Sequence, residues 1–185
     1  MTFQVSKRLI TVEDYHKMAE VGILPERGIE LINGEIIEMS PIGGKHITIV
    51  NRLNKLLNSI LGDNAIISVQ NPIVVSDLSE PEPDISILKY RADFYDGQTP
   101  GAKDTLLVIE VAGSTPVYDR EVKSAVYAAS GIPEFWIVNI ENRTIETHWE
   151  PTAKDYKFRA LLRSGDLAEA KFFDFKMAVK AIFPG

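Results

Sequence analysis

Residues 105–139 follow the order strand, helix, strand, and this order narrows the possible folds of the chain sharply. The first run, TLLVIEVA, is apolar and rich in branched residues, which is typical of a central strand covered on both faces. Asp119 is the expected N-cap of the helix REVKSAVYAAS, and FWIVN follows as a second apolar strand. Two strands joined through a helix in this way form a βαβ crossover, so the sequence predicts an α/β fold.

The segments before this unit carry boundary signals for two helices and a hairpin. Thr11 is the expected N-cap of a first helix. Asn33-Gly34 is the strongest short hairpin signal in the chain, and a turn there sets Glu30 opposite Ile37. A long amphipathic helix is predicted over residues 46–62, and its apolar stripe is formed by Ile47, Val50, Leu53, Leu57 and Leu61.

Further strands are expected to complete a mixed sheet. Strand candidates lie at 65–70, 73–76 and 84–88. After residue 140, the segments TIETHW, YKFRALL and KFFDF predict antiparallel edge strands, and KMAVKAIF predicts a terminal helix. Because no repeat or Ser/Gly-rich linker interrupts the chain, we expect residues 1–185 to form a single domain.

The composition narrows the location and the partners of the protein. The chain has no cysteine, which removes disulfides and thiolate sites and agrees with a reducing compartment. Its start lacks the apolar core of a signal peptide, and there is no run of about 18 apolar residues, so we expect a cytoplasmic protein with no membrane partner. The net charge of −6 argues against permanent tight binding to DNA, but not against an enzyme that meets phosphates transiently.

Glu110 is the residue that does not fit a buried strand. An unpaired ionised carboxylate there costs roughly several kcal/mol, so such a group is normally paired, protonated or bound to a metal. Asp84 stands at the start of another predicted strand, after the extended segment PEP. Glu30 shares its hairpin face with isoleucines, and Lys123 lies on the first turns of the crossover helix.

These charged residues form a candidate hydrolytic site. Asp84 and Glu110 on neighbouring strands repel each other by roughly a few kcal/mol, and a hard cation between them removes that cost. Mg²⁺ is usually held by one or two carboxylates, with water and substrate phosphates completing its octahedron. A lysine beside such a pair can orient or deprotonate a water molecule, which is the apparatus for phosphodiester hydrolysis.

The segments PEPDISIL and VIEVAGSTPVYDREVKSAVYAASGIPEFWIVN resemble the putative restriction endonuclease family, a bacterial domain of unknown function in the PD-(D/E)XK nuclease superfamily. ELINGEI and GGKHITIVNRLNKLL are similar to the N-terminal half of that family, so the resemblance covers roughly residues 10–140. It implies a restriction-endonuclease-like αβββαβ core. With the elements above, the expected fold is this α/β core with a mixed central sheet, an N-terminal helix and hairpin, and C-terminal antiparallel edge strands.

The resemblance also implies roles for the charged residues. Asp84 and Glu110 would be metal ligands, Lys123 the catalytic lysine, and Glu30 an additional active-site acid. In the general superfamily motif the lysine lies two residues after the glutamate, where this chain has Ala112. The resembling family supplies the lysine from the next helix instead, as Lys123.

The favoured function is a metal-dependent endonuclease-like hydrolase that acts on DNA. In this hypothesis Mg²⁺ or Mn²⁺ is held by Asp84, Glu110 and the backbone carbonyl of Val111, and Lys123 positions the attacking water. His46, at a helix start, is a candidate substrate-binding residue that meets a phosphate, or a first-turn histidine with no such task. A homodimer is favoured by analogy, because double-strand cleavage uses two sites.

A second interpretation needs no catalysis. In it, the carboxylates and Lys123 form a buried ion-pair network in a module that kept the nuclease fold and acts through partners or its oligomer. The acidic charge balance and the lack of a basic arm favour this version.

Overall fold

The computed structural model describes residues 6–25, 27–113 and 116–183. Its helices are α1 (Val12–Glu20), α2 (Gly44–Leu61) and α3, which joins an α-helical turn (Pro116–Tyr118), a π-helical turn (Asp119–Lys123) and an α-helical segment (Ser124–Ala129). Its strands are β1 (Ile29–Ile32), β2 (Glu35–Glu38), β3 (Ala65–Val69), β4 (Ile85–Lys89), β5 (Thr105–Ala112), β6 (Glu134–Asn139), β7 (Thr144–Pro151), β8 (Tyr156–Leu162), β9 (Leu167–Glu169) and β10 (Lys176–Ala178).

A six-stranded mixed sheet forms the centre of the fold. Its strand order is β3-β4-β5-β6-β7-β8, with β5 and β6 parallel and the other neighbours antiparallel. The chain order α2, β3, β4, β5, α3, β6 is the expected αβββαβ core, and β7 and β8 add to it as antiparallel strands on one side, with β8 at the edge. The predicted α/β fold is therefore confirmed.

Local sequence signals set the N-terminal elements. The Thr11 side chain accepts a hydrogen bond from the backbone N–H of Asp14, whose carboxylate reaches back to complete a capping box. Asn33 and Gly34 form the hairpin turn with positive φ angles of 51° and 76°. The pairing of β1 with β2 then sets Glu30 opposite Ile37, as predicted.

Apolar side chains cover both faces of the sheet and fix which way Glu110 points. Leu107 and Ile109 of β5 belong to the cluster that contains the buried side of α2. Val108 belongs to the cluster on the other face, which includes Tyr127 of α3. Because side chains alternate along a strand, Glu110 lies on the same face as Val108 and points toward α3.

Two predictions in the N-terminal half of the core were wrong in detail. On α2, Ile47 is 49% exposed and Ile49 is 2% exposed, because Ile49 and not Ile47 continues the i, i+4 row of buried leucines. Residues 73–76 form isolated bridges instead of a strand. Their backbone groups bond to loops: the N–H of Ile73 donates to the carbonyl of Pro81, and the N–H of Val74 donates to that of Pro100.

The C-terminal predictions also need correction. KFFDF is not a strand, and KMAVKAIF is not a helix but consists of β10 followed by a 3₁₀ turn, Val179–Ala181. Phe175, Met177 and Val179 are buried at alternate positions, so this segment follows the period of an extended chain.

The predicted cap of the crossover helix was also wrong. Asp119 is not an N-cap, because α3 begins at Pro116 and Asp119 opens its π-helical turn.

His148 on β7 makes the fold sensitive to acid. It is fully buried, and neither ring nitrogen has a hydrogen-bond partner. Burial lowers the pKa of this imidazole to about 4.

No α-helix in the described part of the chain has the length and apolar character that crossing a bilayer requires.

We expect the free energy of unfolding to fall by up to about 3 kcal/mol as the pH drops from 6.5 to 4, on account of His148. In that window the unfolded chain binds a proton at this histidine and the folded chain does not, so stability is full above pH 6.5 and lost on acidification. Urea unfolding across the window measures the slope. His148→Leu should flatten it, and an unchanged slope in the variant would assign the acid sensitivity to other groups.

Candidate active site

The carboxylate of Glu110 is held by a lysine of the crossover helix. Glu110 is 4% exposed, and its Oε1 lies 3.0 Å from Lys123 Nζ. The same ammonium lies 3.1 Å from Oε2 of Glu30, which is also buried. Lys123 therefore ties β1, β5 and α3 together at one point. Two buried carboxylates that share a cation avoid the full cost of an unpaired charge.

The electrostatics of this cluster keep the lysine charged. Burial acts to lower the pKa of Lys123, but the surrounding carboxylates more than offset it and hold its pKa above the ordinary value. Burial also raises the pKa of Glu110, and the Lys123 ammonium opposes that rise. Since a charged amine cannot accept a proton, Lys123 is equipped here to donate hydrogen bonds to water or to a phosphate oxygen.

Tyr127 adds a neutral donor to the same carboxylate. Its side chain is fully buried, and its hydroxyl donates to Glu110 Oε1 over 2.8 Å. Burial raises the pKa of this phenol well above its ordinary value, so it stays protonated. The other oxygen of Glu110, Oε2, accepts only a long hydrogen bond of 3.4 Å from the backbone N–H of Asp84, among the described residues.

Replacing Tyr127 with phenylalanine is expected to lower the free energy of unfolding by about 1.5–3 kcal/mol, because a buried hydrogen bond to a charged acceptor is lost. Tyr156→Phe is the matched control. Tyr156 is also buried, but its hydroxyl donates to a neutral acceptor, the carbonyl of Ile132, over 3.0 Å, so we expect a loss of about 0.5–1.5 kcal/mol. Urea unfolding compares the two variants, and equal losses would argue against a charged Glu110.

Asp84 lies immediately before β4, beside the carboxyl end of β5. The backbone N–H of Val111 donates to Asp84 Oδ2 over 2.8 Å, and Nε2 of His46 lies 2.9 Å from the same oxygen. The other oxygen, Oδ1, has the side-chain amide of Gln70 at 3.4 Å. His46 stands in the first turn of α2, and its Nδ1 is buried without a hydrogen-bond partner.

All of these charged groups face one open cleft. The cleft has a volume of about 1260 Å³ and is lined by Glu30, Asp84, Glu110 and Lys123. Its walls come from the segment between β2 and α2, from the segment after β3, and from the chain just beyond β5 and β6. The carboxylates are therefore shielded from bulk solvent but can be reached through the cleft.

Asp119 is an additional acid of this site that the sequence analysis assigned to helix capping alone. It is 8% exposed and lines the cleft, and within the described residues its carboxylate has no hydrogen-bond or ion-pair partner. Burial raises its pKa to about 6, although the Lys123 ammonium opposes the rise. Its spacing of four residues from Lys123 is the sequence signal that indicates a shared helix face.

The donor set suits a hard divalent cation. Oδ1 of Asp84 and Oε2 of Glu110 accept only hydrogen bonds of 3.4 Å among the described residues, so each retains lone pairs. In a strand, the N–H and C=O of one residue point to the same side, so the carbonyl of Val111 lies on the side of Asp84. In the described ranges no three His, Cys, Asp or Glu side chains form a ready metal cage. Two carboxylates and a carbonyl fit Mg²⁺ or Mn²⁺, which keeps several water ligands.

The structure brings the predicted residues together. Glu30, Glu110 and Lys123 are in direct contact, and Asp84 joins them through the backbone of β5. Their roles in metal binding and catalysis stay predictions, as does that of Val111. His46 faces the cleft but bonds to Asp84, a contact that the sequence analysis did not foresee, and its contact with a phosphate also stays a prediction.

A family model and a solved structure each match most of the chain. The family model Uma2, described as a putative restriction endonuclease, matches residues 12–180. Among solved structures, the chain is similar to a putative nuclease belonging to DUF820 from Anabaena variabilis ATCC 29413, with a TM-score of 0.71 and 18% sequence identity. That match covers 94% of this chain and 97% of the other, and it supports the fold. No curated protein matches.

Proposed function

Because the chain belongs to the Uma2 family of putative restriction endonucleases, we propose that it is a metal-dependent endonuclease-like hydrolase that cleaves phosphodiester bonds of DNA. The observation that carries the proposal is the contact of one buried ammonium, Lys123, with two buried acids beside Asp84. Interacting ionisable groups that are buried at a cleft are typical of functional sites.

Each residue has a distinct task in this proposal. Asp84, Glu110 and the carbonyl of Val111 would hold Mg²⁺ or Mn²⁺. When bound, such an ion lowers the pKa of its water and neutralises charge that develops on the phosphate. Lys123 donates hydrogen bonds that orient the attacking water, and Glu30 fixes the position of the lysine. His46 would meet a substrate phosphate at the start of α2, where free N–H groups favour anions.

Binding of Mn²⁺ tests the cation site directly. Isothermal titration of the wild-type protein should give a saturable signal, and Glu110→Ala should weaken the affinity by at least about tenfold, since the variant loses a ligand. Glu121→Ala on the exposed side of α3 is the control and should bind Mn²⁺ like the wild type. Equal affinities of the wild type and Glu110→Ala would remove Glu110 from the site.

A non-catalytic module is the alternative function. Lys123 already forms ion pairs with two carboxylates, as it would in a purely structural network. The acidic lining of the cleft is also compatible with such a network. Cleavage of DNA that requires Mn²⁺ and disappears in Lys123→Met, without unfolding, would reject this alternative.

A homodimer is part of the main proposal, and sedimentation equilibrium measures the oligomeric state.

A further inference from the structure

Acidic side chains outnumber basic ones in the cleft. The carboxylates that line it are Glu30, Glu38, Glu82, Asp84, Glu110, Asp119 and Glu141. The lysines and arginines in the lining are Arg27, Lys45 and Lys123. Lys123 is shared by Glu110 and Glu30 at the proposed cation site, so Arg27 and Lys45 are the two lysine or arginine side chains of the described lining left to hold phosphates away from that site.

This charge balance is a poor match for a DNA duplex. A duplex carries one negative charge per about 1.7 Å of its axis, and proteins that grip it contact about 6–10 phosphates with lysine and arginine. A stretch of duplex in the cleft would bring two phosphate rows against carboxylates that only a divalent cation can neutralise. The bases of a duplex cannot compensate, since their faces are stacked inside the helix.

The walls of the cleft offer apolar contacts instead. Met39, Pro41 and Ile42 line it on the side of α2, and Ile42 is 51% exposed. Val69 and Pro72 line it on the side of β3.

Asp84 connects both walls to the reaction centre. It contacts His46, four residues after Ile42, and Gln70, two residues before Pro72. Both walls therefore line the same cleft as the acids proposed to hold the cation.

We infer that the nucleic acid enters this cleft as an unpaired strand, with its bases against the apolar walls and few of its phosphates near the acids. The inference rests on the proposed function, whose substrate it specifies. Unpaired bases expose flat apolar faces, and contact with these faces does not depend on base sequence. One site is sufficient to cut one strand, so the inference does not depend on a dimer.

Cleavage rates provide the first test. With the wild-type protein and Mn²⁺, we expect a single-stranded DNA oligonucleotide to be cut at least tenfold faster than a blunt duplex of the same sequence. An RNA strand of that sequence is run in parallel. Preference for RNA over both DNA forms keeps the inference and changes only the sugar, whereas a duplex cut as fast as the single strand, or faster, overturns it.

Binding in EDTA provides the second test and does not require catalysis. Fluorescence anisotropy should show tighter binding of the single strand than of the duplex. The slope of log K against log salt should be no steeper than about −1.4, because two phosphate contacts on a single strand contribute about −0.7 each. Tighter binding of the duplex, a slope of about −4 or steeper, or no binding of either form overturns the inference.

Two matched isoleucine variants locate the contact. Ile42→Ser should weaken binding of the single strand by three- to tenfold, whereas Ile60→Ser should leave it unchanged. Ile60 is 43% exposed on α2 but lies outside the cleft lining. Equal effects of the two variants overturn the inference. Failure of the proposed function has a different signature, which is the absence of Mn²⁺-dependent cleavage of every strand together with intact single-strand binding.

Discussion

Lys123→Met is expected to lower the rate of Mn²⁺-dependent cleavage by about 10²–10⁴-fold, because the variant loses the only ammonium in contact with Glu110 in the described chain. It should also lower the free energy of unfolding by about 3–5 kcal/mol, since Glu110 and Glu30 stay buried without their cation. Cleavage of a fluorescent oligonucleotide and urea unfolding measure the two effects.

The two losses are separated by the affinity for Mn²⁺. A methionine at position 123 removes a positive charge from beside Glu110, so the folded variant should bind Mn²⁺ as tightly as the wild type or more tightly. Lys55→Met, on the exposed side of α2, is the control and should change neither cleavage nor stability. Cleavage within fivefold of the wild-type rate in Lys123→Met would exclude Lys123 from the reaction.

The fold was predictable where local sequence signals and neighbouring strands determine it. Asn33-Gly34 determines the hairpin register through backbone conformations that few other residue pairs adopt easily. The βαβ unit predicted that Glu110 and Lys123 would lie at one end of the sheet, because the chain leaves β5 there and enters α3. Asp84 follows the same logic, since the antiparallel pairing of β4 with β5 brings the start of one strand to the end of the other.

The parts that could not be predicted depend on tertiary packing. The π-helical turn that opens with Asp119 widens α3 locally, and no residue within it has a strong preference for that geometry. The local pattern therefore predicted a capping role for Asp119, although it is a buried acid of the cleft. The contact of His46 with Asp84 joins positions 38 residues apart, and only the packed fold reveals it.

The C-terminal segment illustrates a conflict between two periodicities. In residues 175–182 the apolar residues fit a helical stripe as well as an alternating strand, and length alone did not decide between them. Burial of Phe175, Met177 and Val179 against the face of the sheet that α2 covers favours the extended form. This region lies away from the cleft, so the error did not affect the candidate site.

Asp84→Asn is expected to lower the cleavage rate by at least about 100-fold while the free energy of unfolding changes by less than about 1 kcal/mol. Asparagine keeps the size of the side chain and an oxygen that can accept from the N–H of Val111. It lacks the charge that a divalent cation requires. Because the Asp84 carboxylate repels Glu110 and raises its pKa, the neutral asparagine removes this repulsion, which offsets a weaker contact with His46.

The thermal response to Mn²⁺ distinguishes lost cation binding from a local distortion at Asp84. A cation that binds the folded state raises the Tm of the wild type with increasing concentration, and this rise should be absent in Asp84→Asn. Asp63→Asn, on the exposed turn that follows α2, is the control and should keep both the rise and the activity. If Asp84→Asn cleaves at more than a tenth of the wild-type rate and keeps the wild-type rise in Tm, the cation is held elsewhere and Asp84 serves only to anchor His46 and the end of β5.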